Sequence, residues 1–301
     1  MRLCKLQIEE DFEIKNHTSF KIGGKIKKIF FPETVDEFED LLKTYPESFV
    51  AGNLSNTLVS SYGYSGIVIS ASKLNNIDIQ DNIIVADAGV KGPKLAQIAA
   101  NNGLSGLEFM IGFPGSVGGE VFMNAGAHSQ CVADCFKFAK VYDGENILTL
   151  EKSDMCFSYR KSVCADKKYI VLQVGFELDK KDKKEIEQKM TDNLKFRKAH
   201  QPSLALPNCG SIFKNPENNS AGRLLDECGV KDLQIGGARV WQNHANFIIN
   251  FDNAVSSDVL ELMKIMKTRV LEKFGIELEP EIRFLGSNNN EVELCKYLKV
   301  K

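Results

Sequence analysis

GLSGLEFMIGFPGSVGGEVFMNAGA, residues 103 to 127, places glycine at seven of twenty-five positions and an acidic side chain at only two. Glycine accepts φ > 0 and leaves backbone amides bare, so a segment this rich in it suits a turn that wraps a phosphate or a flat ring system. A plain glycine-rich connecting loop is the alternative. A second segment weighs against that alternative. AGNLSNTLVS at 51 to 60 follows the apolar Phe49 and Val50 and precedes GIVIS, which predicts strand, turn, strand. Its turn, built from Gly52, Asn53, Ser55 and Asn56, makes a nest of N–H groups ringed by small donors and suited to a diphosphate. Neither segment fits G-x-G-x-x-G between a strand and a helix, and G-x-x-x-x-G-K-[ST] is absent. Any nucleotide is therefore held by something other than a Rossmann or P-loop site.

The chain has 301 residues, 43% apolar and 26% charged, enough for two globular domains. Thirty-eight basic residues oppose forty acidic ones for a net charge of −2, so no chain-wide field favours nucleic acid or an anionic membrane. Any anion must be bound locally. The opening MRLCKLQIEEDFEIK carries no apolar signal region, and no eighteen-residue apolar run occurs, which predicts a cytoplasmic protein without membrane insertion. Eight cysteines, at 4, 131, 135, 156, 164, 209, 228 and 295, form no C-x-x-C and no zinc-ligand spacing with the four scattered histidines. They read as reduced packing residues, and no metal site is expected.

From about 26 to 178, short β-branched runs alternate with helical patterns, an α+β arrangement. TVDEFEDLLKTY predicts a helix with Thr34 as N-cap and Glu37 completing a capping box. VKGPKLAQIAANNG predicts another, with Leu95, Ile98 and Ala99 on one face and Gly103 as its stop. The charged run DKKDKKEIEQKM at 179 to 190 reads as a solvated linker into an exposed helix, and it sets the domain boundary. Beyond it, Val259, Met263, Met266, Val270 and Phe274 share a helix face, Asp258 with Glu261 caps its start and Gly275 ends it. GSNNNE near 286 predicts a frayed end.

Three further islands carry polar side chains that are costly to keep for structure alone. In FSYRKS, Arg160 ends a predicted strand, where its donor fork suits a carboxylate; an exposed strand arginine is the alternative. LPNCGSIFKNP reads as a strand with Ser211 and Phe213 on one side and Ile212 and Lys214 on the other, or as a polar hairpin. In ELEPEIRF, alternation puts Glu279, Glu281 and Arg283 on one face, needing partners, solvent or a ligand; an exposed edge strand satisfies the same pattern. With no suitably spaced histidine, a Ser-His-Asp hydrolase is not supported.

In order along the chain, NHTSFKIGG, GNLSNTLV, GLEFMIGFPGSVGGEVFMNAGA, FSYRKS, QPSLALPNCGSIFKNP, AGRLLDECGVKDLQIGGARV, HANFIIN and LEPEI closely resemble the UDP-N-acetylenolpyruvoylglucosamine reductases, flavoenzymes of bacterial cell-wall precursor synthesis. The likeness is nearly full length. The short stretch between Arg160 and YIVL further resembles the subtype without the long, tyrosine-bearing insertion. The resemblance implies an α+β fold with a two-part FAD-binding region of the vanillyl-alcohol-oxidase type over 1–180, subdivided near 80. A substrate domain over 181–286 and a tail over 287–301 would follow.

It also implies roles. FAD would be held non-covalently, with Gly52, Asn53, Leu54, Ser55 and Asn56 at its diphosphate. Gly112, Pro114, Gly115, Ser116, Gly118, Gly119, Asn124 and Gly126 would complete the cofactor set, with Arg283 near the isoalloxazine. Arg197 also matches a family arginine. NADPH would reduce FAD, and the UDP-sugar enolpyruvate would then accept hydride at its vinyl carbon. Arg160 and Glu281 would stabilise charge beside the substrate carboxylate, Ser211 would protonate the adjacent carbon, and Tyr159, Lys214 and Asn215 would position substrate.

Two departures stand out. GNLSN is poorer in glycine than the usual diphosphate loop, so Asn53 and Leu54 must meet its dihedrals without that freedom, and leucine tolerates αL poorly. Trp241 follows GGARV where a small polar residue is commoner, which bears on local packing or the substrate rim. Two other functions remain compatible with the glycine loops alone. One is a flavin oxidase of the same cofactor fold, which would not need Ser211, Lys214, Asn215 and Glu281 in these contexts. The other is a flavin-binding protein without activity.

Overall fold

The computed structural model describes residues 6–203 and 205–301. Cys4, the first five residues of the opening segment and Leu204 of the QPSLALPNCGSIFKNP island lie outside the described residues. The chain divides into two compact units that are interleaved in sequence. The first takes Ile29–Asn53 and Val68–Arg197 with the residues up to Glu9; the second takes Glu10–Lys28, Leu54–Ile67 and Lys198–Lys301. Helices and mostly antiparallel sheets in both make the fold α+β.

In the first unit, a five-stranded antiparallel sheet runs Ile147–Glu151, Phe136–Tyr142, Ile170–Glu177, Ile83–Asp87, Ile77–Gln80. Helix Gly92–Asn101 buries Leu95, Ala96, Ala99 and Ala100, with Ile98 only partly covered. These residues share a core with Ile84, Ala86, Val174 and Phe176. Each fully buried large side chain there contributes about 1.5–3 kcal/mol. Strands Phe49–Ala51 and Tyr64–Ser70 pair in parallel. Helix Val35–Thr44 begins as its sequence predicts: the Thr34 hydroxyl accepts from the Glu37 N–H at 3.2 Å. The Glu37 carboxylate, however, reaches back to the Glu33 N–H at 2.8 Å, one residue before the cap.

The charged run at 179–190 is more ordered than a linker. Asp179–Lys180 pairs with Leu104–Ser105, and helix Lys183–His200 follows. Its buried Ile186, Met190 and Asn193 recur at helical spacing, and Ile186 and Met190 join the first unit's core. The charges simply occupy the opposite face.

The second unit packs helix Ser256–Phe274 against a three-stranded antiparallel sheet, Gln234–Ile235, Ala238–Val240 and Ile248–Asn250. Val259, Met263, Met266 and Val270 are buried as the periodicity predicts, and Gly275 ends the helix at φ 68°. The start differs. Val255 is the N-cap, and Asp258 sits three residues inside, accepting from the Val255 N–H at 3.0 Å. The expected frayed end is also absent: Asn288 caps helix Asn289–Leu298, which buries Cys295 and Leu298 in the second core. Buried Glu291 accepts hydrogen bonds from the Ser60 and Ser256 hydroxyls and thereby fixes that helix. No helix among the described residues is long and apolar enough to cross a membrane.

Candidate active site

The glycine-rich loop of the first unit is laced to the turn after Asp87. Gly92 N–H donates to the Gly115 carbonyl at 3.2 Å, Val117 N–H to Val90 at 2.8 Å and Gly118 N–H to Ala88 at 2.9 Å. Helix Val117–Phe122 then carries the chain away. Gly52 lies so near that a Cβ there would collide with the Ser116 hydroxyl, and the Asn53 side-chain amide donates to the Pro114 carbonyl. Loops 52–53 and 112–119 thus form one backbone-rich shell. The conformational demand anticipated for GNLSN falls on Leu54, a non-glycine residue at φ 49°. The Arg197 stem packs against Gly112, and burial lowers the pKa of its guanidinium from the ordinary arginine value.

Arg160 does not end a strand. It is the second residue of a two-residue turn closed by reciprocal 3.1 Å bonds between Ser158 and Lys161, with φ 56°. Its Nη1 donates to the Gly126 carbonyl at 3.3 Å, and its guanidinium lies 5.3 Å from the centroid of the exposed Tyr159 ring. Asn124 fastens this turn: its Nδ2 donates to the Ser158 carbonyl at 2.9 Å, while its Oδ1 accepts from the Ala133 N–H at 3.1 Å. Asn124 itself sits at φ 43°, a conformation asparagine tolerates better than most residues.

The second unit holds Ser211 and Glu281 on paired segments. Lys214 N–H donates to Glu279 O at 2.9 Å and Glu281 N–H to Ile212 O at 2.8 Å, around a bridge between Phe213 and Pro280. The 211–214 segment is not an alternating strand, because consecutive Ile212 and Phe213 are both buried. Its other edge meets a side chain: buried Asn246 accepts from Phe213 N–H at 2.9 Å and donates to Phe213 O at 2.8 Å. Lys214 pairs with Glu279 at 2.7 Å, and Asn215 Oδ1 accepts from the Ala221 N–H at 3.0 Å.

In ELEPEIRF the alternation is real: Leu278, Pro280 and Ile282 are buried, while Glu279, Glu281 and Arg283 take the other side. The strand is not an exposed edge. Arg283–Leu285 pairs in parallel with Thr57–Val59, Asn56 Nδ2 donates to Glu281 O at 2.9 Å, and Arg283 N–H donates to Asn56 O at 2.9 Å. Burial also lowers the Arg283 guanidinium pKa from its usual value. The Trp241 backbone N–H donates to Phe247 O at 2.8 Å, and its ring lies edge-on to Phe247.

A cofactor rich in acceptors and flat surface fits the first unit's shell. Among the described residues the buried Ser116 hydroxyl has no hydrogen-bond partner, and Gly119 leaves exposed backbone in the first turn of the helix that follows. Two family models match the chain: an FAD binding domain over residues 26–148 and the C-terminal domain of UDP-N-acetylenolpyruvoylglucosamine reductase over 201–285. A UDP-N-acetylenolpyruvoylglucosamine reductase from Caldicellulosiruptor saccharolyticus is 41% identical over 293 residues, 94% of each chain. The chain belongs to the UDP-N-acetylenolpyruvoylglucosamine reductase family. A second relative, UDP-N-acetylenolpyruvoylglucosamine reductase 2 of Bacillus anthracis, is 38% identical over 93% of each chain. The crystal structure of the UDP-N-acetylenolpyruvylglucosamine reductase from Thermus caldophilus superposes with a TM-score of 0.79. It is 35% identical and covers 93% of this chain and 99% of that one.

Two further residues of this UDP-N-acetylenolpyruvoylglucosamine reductase family member, inside the resembling motifs but without a role implied by them, support these segments. Asn246 was visible as the one amide inside the apolar run ANFII. Glu120 stands out as an acid in a helix otherwise built from small and apolar residues, and both of its oxygens are buried without a partner among the described residues. Burial alone pushes its carboxyl up to about 8.

Proposed function

We infer that this chain is an FAD-dependent oxidoreductase that uses NADPH to reduce UDP-N-acetylglucosamine enolpyruvate to UDP-N-acetylmuramate, a step of peptidoglycan precursor synthesis. The observation that carries the reading is the 41% identity across 94% of the chain, spanning both matched regions. Bound FAD would supply the hydride chemistry that links NADPH to the vinyl carbon of the enolpyruvyl group.

The chain's own residues hold the reactants and manage charge and proton. Backbone of Gly52, Asn53, Leu54, Ser55 and Asn56 would hold the diphosphate. Gly112, Pro114, Gly115, Ser116, Gly118, Gly119, Asn124 and Gly126 would support the rest of the cofactor, with Arg283 near its ring system. Arg160 would grip the substrate carboxylate with its fork, offsetting the negative charge that develops on the neighbouring carbon. The backbone bonds that tie Glu281 to Ile212 keep its carboxyl on a segment paired with the one bearing Ser211. Glu281 would stabilise the same charge, and Ser211 would deliver a proton from its hydroxyl to that carbon. Hydride plus proton balance the reduction of the double bond. Tyr159, Lys214 and Asn215 would orient the sugar nucleotide. In this assignment residues 1–180 form the FAD region, subdivided near 80, 181–286 the substrate domain and 287–301 its tail; the protein acts in the cytoplasm.

Separate stopped-flow half-reactions test these roles. Ser211→Ala is expected to leave flavin reduction by NADPH almost unchanged while turnover falls about 10²- to 10⁴-fold, the usual contribution of a positioned general acid. Turnover within twofold of the parent enzyme would remove Ser211 from the mechanism.

A further inference from the structure

The Glu120 carboxyl occupies a slot made by two missing side chains. A Cβ at Gly92 or at Gly115 would lie closer than 3.0 Å to a Glu120 oxygen. These two glycines belong to the two strips of backbone that are stitched together by Gly92 N–H to Gly115 O, with the Lys91–Ser116 bridge beside it. The acid therefore stands directly behind the junction of the cofactor loop. Among the described residues its two oxygens receive no hydrogen bond. A buried, unpartnered carboxylate is more costly than the neutral acid, so this slot favours the protonated form.

We propose that Glu120 is a positioning residue for the cofactor loop: the neutral acid props loop 112–116 against turn 88–92, and its ionisation frees the loop and releases FAD. The inference rests on the assignment of loop 112–119 to FAD.

The surrounding groups do not offer the carboxylate an alternative partner. Helix Val117–Phe122 packs against Ile83–Asp87, Ile170–Glu177, Val132–Cys135 and Val163–Lys167. Their titratable groups are Asp87, Glu177, Asp134, Cys135, Cys164, Asp166 and Lys167, with Lys91 on the adjoining turn. Asp87 accepts from Asn76 and Gln173, Asp134 from Cys131, Glu177 pairs with Lys137, and Asp166 with Lys161. Lys167 lies over the Tyr169 ring, and burial raises both thiols, Cys135 to about 12 and Cys164 to about 11. None of these groups contributes to the shift of Glu120, whose sole cause is burial.

The test is the dissociation constant of FAD for the apoprotein, read by flavin fluorescence between pH 6.5 and 9.5, with circular dichroism confirming the fold at each pH. If only the neutral form binds, the competent fraction falls about tenfold from pH 7 to 9, and the dissociation constant rises by the same factor. Glu120→Gln keeps size and neutrality, so its affinity is expected to stay level over that range. A flat profile in the parent protein, or the same alkaline rise in Glu120→Gln, overturns the proposal. Gly119→Ala separates this from the loop assignment. Its added Cβ meets nothing nearer than the Ser116 hydroxyl at 3.7 Å, so the helix tolerates it, yet it fills exposed space beside the loop. Weakened FAD binding by Gly119→Ala supports the loop assignment whatever the pH profile shows; unchanged binding overturns that assignment and the proposal with it.

Discussion

Replacing Asn246 by alanine isolates the cost of one side chain acting as a piece of β-sheet. Phe213 is buried, and its N–H and C=O point away from the 279–281 segment because Lys214 and Ile212 make the backbone bonds on that side. Asn246 meets both groups, at 2.9 and 2.8 Å. Alanine leaves a buried donor and a buried acceptor unsatisfied, each costing about 1–3 kcal/mol, so a loss of about 2–6 kcal/mol is expected. That is a large part of the roughly 5–15 kcal/mol that holds a domain together. Urea denaturation of the apoprotein, followed by tryptophan fluorescence from the chain's single Trp241 in the same unit, measures it. Asn246→Asp retains the acceptor for Phe213 N–H but removes the amide donor and adds an acid, so it too is expected to destabilise. Because the 211–214 segment loses two of its bonds while keeping the backbone bond from Ile212 N–H to Asn246 O, substrate-driven reoxidation should slow more than flavin reduction in any variant that remains folded. A stability change below about 0.5 kcal/mol at constant m-value would show that Phe213 is satisfied some other way, and would refute the reasoning.

Glu120 ties stability to pH in a direction opposite to that of a salt-bridged acid. Its folded-state pKa is raised to about 8, so the associated stability is fully present below about pH 4.5 and lost as pH climbs to about 8. Glu120→Gln should therefore raise apoprotein stability by a few kcal/mol at pH 7.5 and hardly at all at pH 4.5; an equal change at both pH values in urea melts would contradict this. Arg160→Lys keeps the charge but loses the planar fork, so reoxidation by the enolpyruvyl substrate should fall far more than reduction by NADPH, and equal slowing of both half-reactions would point to a folding or flavin defect. Acid precipitation should leave the FAD in the supernatant, and colour retained in the pellet would require a covalent link.

Local patterns in the sequence were good guides wherever neighbouring residues decide the outcome. Thr34 and Glu37 lie one helical turn apart, and the period-two burial of Leu278, Pro280 and Ile282 needs no knowledge of the partner strand. The partner itself was not legible. Thr57–Val59 pairs with Arg283–Leu285 across more than two hundred residues, and no local signal encodes that register. Arg160 misled because Phe157 and Tyr159 alternate like strand residues, whereas Asn124 holds the preceding Ser158 and the backbone turns at φ 56°. Glycine-rich stretches pointed to a close-packed backbone shell, but not to the room that Gly92 and Gly115 leave for a buried acid. The resemblance supplied roles for Ser211, Glu281 and Arg160 that composition and spacing had left open.

The interleaving of the two units has a consequence for synthesis. Phe20, Ile22 and Leu58 belong to the same core as Met263, Val270 and Leu298, and Asn250 Nδ2 donates to the Phe20 carbonyl across 230 residues. Ser60 must wait as long for Glu291. At about 5–20 residues per second, those early apolar side chains stay uncovered for on the order of ten to fifty seconds after leaving the ribosome. Pairings this distant in sequence also slow spontaneous refolding, because loop closure precedes any gain from contact. Slowing elongation past residue 250 is thus expected to lengthen that exposure and to raise the share of chain lost to aggregation before the second unit closes.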